Sequence, residues 1–572
     1  MSEYVVYFST NIMKEDIQKV VLKSVESIAK TLNASDFPLV VEVGIPRRKE
    51  FGDFSINTAM VLAKKTGQNP RKLAELIIEN LPEEQEALFK KVEIAGAGFI
   101  NFFVREEAIV NKLREIEEAG QSFGNAASDK GKKVLIEFVS ANPTGFLHMG
   151  HARNAVVGDA LSNILQASGL DVTREFYIND RGHQMEMLGE SVYARYLESL
   201  GIERKLPEDG YKGEYVQEIA ALVKAGKGDS LIGEDKEAES VPYCREFAKK
   251  WLLDHLVGDL ESVGIKFDEW YSESENIHSA LESIQGQSRL EASLALLKEK
   301  NALKEEDGAL WFKATEFGDA QDWVLVKSDG SPTYFLADIA YHAHKLQRGF
   351  DSLINVWGAD HHGHIARLKA ALKALGLDES RLRVVLIQFV RLMRQGKEVA
   401  MSKRSGSYVT MRDVVKDVGP DVMRFFLLAR SSESHLDFDL DLAKKESSEN
   451  PVYYIQYAYA RINSLFRKAE ESGMSASGES LGELKEQVEI DLIKKLLLFP
   501  EVVEEASVSL APHKIAYFLQ ELASDFHVYY NKCRIVDENS DLSQARLYLV
   551  SCVRIVLSNG LRLLGISTPE RM

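Results

Sequence analysis

Apolar residues recur at helical spacing from Lys14 to Leu32, and the run "PLVVEVGI" that follows has the density of a strand. With "KVEIAGAGFINFFV" closing the segment, residues 1–125 read as a compact α+β unit. "GQSFGNAASDKGKK", rich in Gly, Ser, Asn and Lys, then reads as a linker. Beyond it, "KVLIEFVS" (Lys133 to Ser140) is too apolar to keep one face in water, which predicts a buried parallel strand. "ANPTGF" turns the chain. A helix follows in "LHMGHARNAVVGDALSNILQASG", with apolar residues at Ala152, Val156, Ala160 and Ile164 and with Gly169 placed to stop it. "DVTREFYIND" is a second strand, and this β-α-β unit predicts a Rossmann-type, doubly wound parallel sheet.

Charged helical material from about Tyr211 to Gly286 interrupts the pattern as an insertion. The α/β alternation returns with "GALWFKA" and "DWVLVKSDGSPTYFLADIAYHAHKL", where "SDGSP" carries a turn, and continues with "SLINVWGADHHGH" and "LRVVLIQFVRL". From about Ser447 the chain turns to long helices with almost no strand signal. The prediction is an N-terminal α+β domain over 1–125, an α/β domain over 126–446 with an insertion at about 211–286, and an all-α helix bundle over 447–572.

Composition agrees with this division, because 572 residues are too many for one core. An apolar content of 45% and a charged content of 27% suit a soluble protein. No window has the ~18 uninterrupted apolar residues of a membrane span. The opening "MSEYVVYFSTNIMKEDIQ" lacks a basic leader, so a cytoplasmic location is expected. Cys244, Cys533 and Cys552 are odd in number and far apart, against a disulfide framework or thiolate zinc site. A net charge of −17 counts against a nucleic-acid partner. Local patches at Arg47, Arg48 and Lys49 and at Arg71 and Lys72 can still meet phosphates, or serve as solvated surface.

The chemistry concentrates at His148 and His151. Three apart, they share the first turn of a helix, where free N–H groups and the dipole favour an anion. Gly150 lets a nucleotide approach the backbone, and two imidazoles can donate to phosphate oxygens during an in-line displacement. A metal pair or two surface histidines are the alternatives. The chain has no G-x-x-x-x-G-K-[ST] loop; "GADHHGHI" mimics only its glycine spacing. A second element, "GKEVAMSKRSGSY", is a glycine-bounded polar loop whose Ser402, Lys403 and Arg404 can clamp phosphates. Asp360 follows the strand "LINVW", where a doubly wound sheet binds ligands. His361, His362 and His364 beside it are adjacent histidines that seldom converge on one ion, and no metal site is expected.

His148-Met149-Gly150-His151 after a parallel strand resembles the "HIGH" motif of class I aminoacyl-tRNA synthetases, within the segment Ala141, Asn142, Pro143, Thr144, Gly145, Phe146 and Leu147 that leads into it. Met401-Ser402-Lys403 resembles the middle of their "KMSKS" loop. "SANPTGFLHMGHARNA", "YINDRGHQ", "WYSESE", "YFLADIAYH", "VWGADHHGHIARLKAAL", "MSKRSGSYVTMRDVV" and "PHKIAYFLQELASDFHVYYNKCR" together resemble bacterial-type arginyl-tRNA synthetases over nearly the whole chain. The resemblance implies ATP-dependent activation of L-arginine as an adenylate and its transfer to tRNA(Arg) through the 2′-OH of the 3′ adenosine. It implies catalytic roles for His148, His151 and Lys403. ATP contacts are implied at His148, Gly150, His151, Gly358, Asp360, Met401, Ser402 and Lys403, with Mg2+ accompanying the nucleotide. Arginine contacts are implied at Asn142, Tyr334 and Asp338, and also at Glu137 and Glu273. An N-terminal tRNA-elbow module and a helical anticodon-binding domain, some of whose tyrosines stack on bases, complete what the resemblance implies. The chain shows no obvious self-complementary apolar surface, so a monomer is expected, with no DNA or membrane partner. Read without the family, Tyr334 and Asp338 are a helix-start pair, and Tyr453, Tyr457, Arg461 and Ser464 an aromatic core stripe.

The chain departs from the motif at two places. Ala400 stands where "KMSKS" has its first Lys, and Arg404 where it has its final Ser. Relatives lacking that Lys carry one before "HIGH", where this chain has Gly145; Lys397 is the nearest upstream substitute. A catalytically inactive tRNA-binding paralogue and another H-x-G-H adenylyltransferase are the competing readings.

Overall fold

A computed structural model describes residues 12–31, 41–46, 48–126, 130–233, 236–279, 286–399, 409–537 and 540–572. Arg47 and the loop residues Ala400, Met401, Ser402, Lys403 and Arg404 lie outside them. The N-terminal unit places the helix Ile12–Thr31 on an antiparallel sheet of β1 (Val43–Gly44), β2 (Phe54–Ile56), β3 (Phe89–Ala95) and β4 (Phe99–Val104), in the order β1-β2-β4-β3.

The central sheet is parallel throughout. It is built from β5 (Lys133–Glu137), β6 (Asp171–Ile178) and β7 (Glu269–Ser272), joined by β11 and β12 below, in the order β12-β11-β5-β6-β7. The helix Met149–Ala167 makes the β5-to-β6 crossover and is buried along most of its length. Its Gly158 is required, since a Cβ there would lie 2.2 Å from the Phe138 ring.

The stretch 211–286, expected as helical, forms the helices Glu214–Lys227 and Glu237–Glu261, which share a core with His183–Ser199. It also contributes β7, because Trp270 and Tyr271 alternate onto Phe176 and Tyr177 at the sheet edge. "GALWFKA" and "DWVLV" do not rejoin the parallel sheet. They form β9 (Ala309–Phe312) and β10 (Trp323–Val326), which with β8 (Leu303–Glu306) make a separate antiparallel meander under the helix Tyr334–Gln347. β11 (Ser352–Gly358) then returns to the main sheet, between β12 and β5. "LRVVLIQFVRL" splits into β12 (Leu382–Ile387) in the main sheet and β13 (Val390–Arg394), which pairs with β14 (Lys397–Glu398) and β15 (Leu436–Asp439).

The C-terminal helices Pro451–Glu471, Gln487–Leu497, Phe499–Ser509, His513–Lys532 and Ser540–Leu563 form a bundle. It touches both other domains. Asn559 Nδ2 donates to Gly120 O and Phe123 O at 2.9 and 3.0 Å, and Arg424 connects the bundle to the Met149–Ala167 helix. Only 1% exposed, Arg424 donates to Leu564 O (3.0 Å), Val263 O (2.9 Å) and Asp159 Oδ2 (2.5 Å). Removing one partner of a buried pair strands the other charge. Arg424→Ala is therefore expected to cost about 3 kcal/mol or more, read as a lowered urea midpoint of the first unfolding transition; an unchanged midpoint would deny the residue this role. Cys244, Cys533 and Cys552 are all free and buried.

Candidate active site

β5 ends at Glu137, three residues before the apolar run does, because the backbone then turns left-handed at Val139 (φ 66°) and Ser140 (φ 42°). A β-branched residue there is strained by about 1–3 kcal/mol. A buried amide holds it. Val139 N–H donates to Asn154 Oδ1 at 2.7 Å, and Asn154 Nδ2 donates to Val356 O at 2.8 Å. The helix that starts at Met149 is thereby fixed to the carboxyl ends of both β5 and β11.

His148 is the N-cap of that helix. Its Nδ1 accepts from Gly150 N–H (3.1 Å) and His151 N–H (3.4 Å), while His151 Nδ1 accepts from His148 N–H (3.3 Å). The rings stack at 3.8 Å with 17° between planes. The first-turn N–H groups expected to meet an anion directly are thus occupied by imidazole nitrogens. A ring that accepts at Nδ1 carries its proton on Nε2, so the donor offered to a ligand is Nε2–H. Gly150 has a second reason to be glycine: a Cβ would lie 2.9 Å from His148 Cε1, in the ring folded over the turn. Behind the pair, buried Arg153 donates to the carbonyls of Gln388, Ser431 and Ser434 at 2.8–2.9 Å, and burial lowers its pKa to about 10. Thr410 forms a β-bridge with His148, and Met411 N–H donates to Leu147 O at 2.7 Å. The chain therefore returns to the histidines immediately after residues 400–408.

Across the sheet edge the site is acidic. Glu273, 4% exposed, follows β7 and its Oε1 lies 3.1 Å from His278 Nε2. Glu137 is occupied on both oxygens: Ser140 Oγ donates to one at 2.8 Å and the buried Lys345 ammonium to the other at 2.5 Å. From Lys345 a polar chain runs through Asn355 (3.3 Å) to His342 Nε2 (2.6 Å), whose Nδ1 lies 2.8 Å from Asp338 O. Burial, then Lys345, lowers the His342 pKa, keeping that imidazole neutral as the chain requires. Asp338 faces Glu273, Glu137, Arg367 and Lys345; burial first, then the two carboxylates, raise it to about 7. Burial and the Glu273 and Asp338 charges likewise push the Tyr177 hydroxyl up. This acidic cluster is electrostatically incomplete and suits a cation.

Tyr334 opens the Tyr334–Gln347 helix and is 62% exposed, with its hydroxyl over Gly182, where a Cβ would come within 2.8 Å. Asn142 Nδ2 donates to Gln184 Oε1 at 2.7 Å. Gly358 ends β11, and Asp360 stands exposed with His361 Nε2 at 3.7 Å. Among the described residues no group of three or more His, Cys, Asp or Glu side chains is arranged to hold a metal ion. Met401, Ser402 and Lys403 lie outside the described residues.

Three family models match the chain: "Arginyl tRNA synthetase N terminal domain" over 12–104, "tRNA synthetases class I (R), catalytic domain" over 113–424, and "DALR anticodon binding domain" over 455–572. Among curated relatives, an arginine–tRNA ligase of Carboxydothermus hydrogenoformans is 47% identical, covering 95% of this chain and 96% of its own. One from Bacillus subtilis is 45% identical, covering 98% and 99%. The chain belongs to the arginine–tRNA ligases. A putative arginyl-tRNA synthetase structure from Campylobacter jejuni matches this ligase with TM-score 0.74 and 33% identity, over 82% of this chain and 100% of that one. The arginyl-tRNA synthetase of Thermus thermophilus shares the fold, with TM-score 0.72 and 23% identity over 97% of this chain and 99% of that one.

The ligase's helical domain carries an aromatic surface where the spacing alone suggested core. Tyr453 and Tyr457 stack with 9° between planes, and Arg461 lies over Tyr457 (4.6 Å) and Tyr530 (4.5 Å). Tyr453, Tyr457 and Arg461 line an open cavity of about 480 Å3 together with His527. Sequence reasoning did not name Asn154, Gln184, Gly182 or Lys345 as parts of the site.

Proposed function

We propose that this edge is where the ligase joins L-arginine to tRNA(Arg) through an arginyl-adenylate, releasing AMP and diphosphate. The single observation that carries the reading is the stacked His148–His151 pair capping the helix that follows β5, the strand that ends at Glu137. The arginine carboxylate attacks the α-phosphate of ATP in line, and the two Nε2–H groups donate to oxygens whose charge grows in the transition state. Lys403 holds the departing diphosphate. ATP enters as its Mg2+ complex, the nucleotide bringing the ion; Gly150, Gly358, Asp360, Met401 and Ser402 border the nucleotide. Asn142 holds the substrate's amino-acid moiety. Tyr334, Asp338 and Glu273 take the guanidinium, while Glu137, already engaged, acts through its charge. The aromatic surface of Tyr453, Tyr457 and His527 stacks single-stranded anticodon bases. No described helix is long and apolar enough to cross a membrane, and the ligase works as a cytoplasmic monomer.

The test is charging of purified tRNA with labelled arginine, with and without ATP. Charging that requires ATP is the expected result, and its absence in the folded protein sinks the proposal. A second expectation concerns pH. A guanidinium needs ionised Asp338, whose pKa in the arginine-free enzyme is about 7. Protons therefore compete below that value, and the KM for arginine should rise toward about tenfold per unit as pH falls from 7 to 5.5 while staying flat above 8. An arginine KM constant across this range would remove Asp338 from the contact.

A further inference from the structure

Lys345 is a buried ammonium to which the adenylation chemistry assigns no part. It lies on the helix Tyr334–Gln347, and its Nζ donates to Glu137 Oε2 at 2.5 Å and to Asn355 Oδ1 at 3.3 Å, 4.0 Å from the centroid of the Tyr341 ring. The bonds beyond it have a fixed direction. Asp338 O can only accept, so His342 Nδ1 carries the ring proton; His342 Nε2 then accepts from Asn355 Nδ2, which leaves Asn355 Oδ1 to accept from Lys345. His342, Lys345 and Asn355 are each no more than 2% exposed. The ammonium is thereby tied to the end of β5 and, through Asn355 on β11, to the backbone of Asp338.

Glu137 is closed to a substrate while this pair stands. Ser140 Oγ and Lys345 take its two oxygens, and a guanidinium that displaced Lys345 would strand a buried ammonium, which is strongly unfavourable. Stability alone does not call for the pair, because apolar residues of the same volume often serve a core equally well. Its consequence is electrostatic. Asp338 faces Glu137 on β5, Tyr177 on β6, Glu273 after β7, Arg367 on the helix His364–Ala374, and Lys345 on its own helix. Burial first, then Glu273 and Glu137, raise its pKa, while Arg367 and Lys345 lower it.

We propose that Lys345 is a positioning residue for arginine recognition: by holding Glu137 it withholds that carboxylate from the substrate and leaves Asp338 and Glu273 as the anions that meet the guanidinium. The inference rests on the reading of Asp338 as a guanidinium contact. Lys345 itself touches no substrate. It balances Glu137 within the fold, so the repulsion that Asp338 meets comes mainly from Glu273 and not from two unopposed carboxylates.

The test is calorimetric titration of L-arginine into the full chain from about pH 6 to about pH 9, for the parent, Lys345→Met, Glu137→Gln and Lys345→Met combined with Glu137→Gln, with thermal melts to confirm folding. In the parent the dissociation constant should rise as pH falls below about 7. Lys345→Met should move that midpoint up by about one unit, weakening binding about fivefold at pH 7 and leaving it close to the parent value at about pH 9. A packing defect alone would persist at the higher pH. Glu137→Gln should move the midpoint down, and the double variant should lie between the two. If Lys345→Met does not fold, the double variant and Glu137→Gln still isolate Lys345, since they differ there alone. An unmoved midpoint in Lys345→Met, a loss that persists at about pH 9, or a double variant with a midpoint no higher than that of Glu137→Gln overturns the proposal. When the parent affinity depends on pH and Lys345→Met leaves its midpoint in place, only this inference fails; when the parent affinity is independent of pH, the reading of Asp338 fails with it.

Discussion

His148→Asn is expected to leave the ligase folded and to lower tRNA-dependent ATP–pyrophosphate exchange by about a hundredfold. The substitution separates the observed capping role of this ring from its proposed role as a donor to the phosphate. His148 Nδ1 caps the helix by accepting from Gly150 and His151 N–H, and asparagine is among the best N-caps because its Oδ1 accepts the same bonds. What asparagine cannot reproduce is a donor at the position of Nε2. A retained melting temperature with lost exchange therefore assigns the loss to Nε2, whose worth is that of one preorganised transition-state donor. If exchange stays near the parent rate, the imidazole is a cap and nothing more. Because the His151 ring stacks on His148 at 3.8 Å, the variant also frees that ring, and measuring His151→Asn alongside it shows whether the pair acts as a unit.

The order of elements through β5, the Met149–Ala167 helix and β6 was legible because a buried parallel strand and a helix with an apolar residue every fourth position leave different periods in the chain. The end of β5 was not. "VLIEFVS" stays apolar past Glu137, and what turns Val139 left-handed is Asn154, fifteen residues on and visible as a partner only once the helix is packed. "GALWFKA" and "DWVLV" misled for a related reason: a short apolar run in a small meander looks like one in a buried sheet, since periodicity reports burial and not the partner strand. The stacked histidines followed from i, i+3 spacing, but their mutual capping did not, because an imidazole is not the usual N-cap. One signal was available and unused. Asp338, His342 and Lys345 lie at i, i+4 and i+7 on a helix whose middle is mostly apolar and buried. A polar stripe on such a helix must be satisfied internally, which points to an acidic partner like Glu137.

The same stripe determines what Asp338→Asn should do. In the arginine-free enzyme the Asp338 pKa is raised to about 7 by burial and by Glu273 and Glu137, so in the proposed contact part of the arginine binding energy is the relief of that repulsion. Asparagine keeps the shape and half the hydrogen-bonding capacity but removes the charge, and losing one partner of a buried charge-assisted pair costs about 2–5 kcal/mol. The expected result is a loss of about a hundredfold or more in kcat/KM for arginine, with the KM for ATP little changed. It should come without loss of stability: removing a carboxylate whose pKa is raised in the fold takes away a group that, above its unfolded pKa, favours the unfolded chain. Asp338→Asn is thus expected to melt at or above the parent temperature at pH 8, the difference shrinking as pH falls below about 7, where the parent carboxyl is itself neutral. Lower stability together with lower activity would mean that Asp338 serves the helix and not the guanidinium. Equal stability with an unchanged KM for arginine would move the guanidinium contact to Glu273, the buried carboxylate at this edge that Lys345 does not engage.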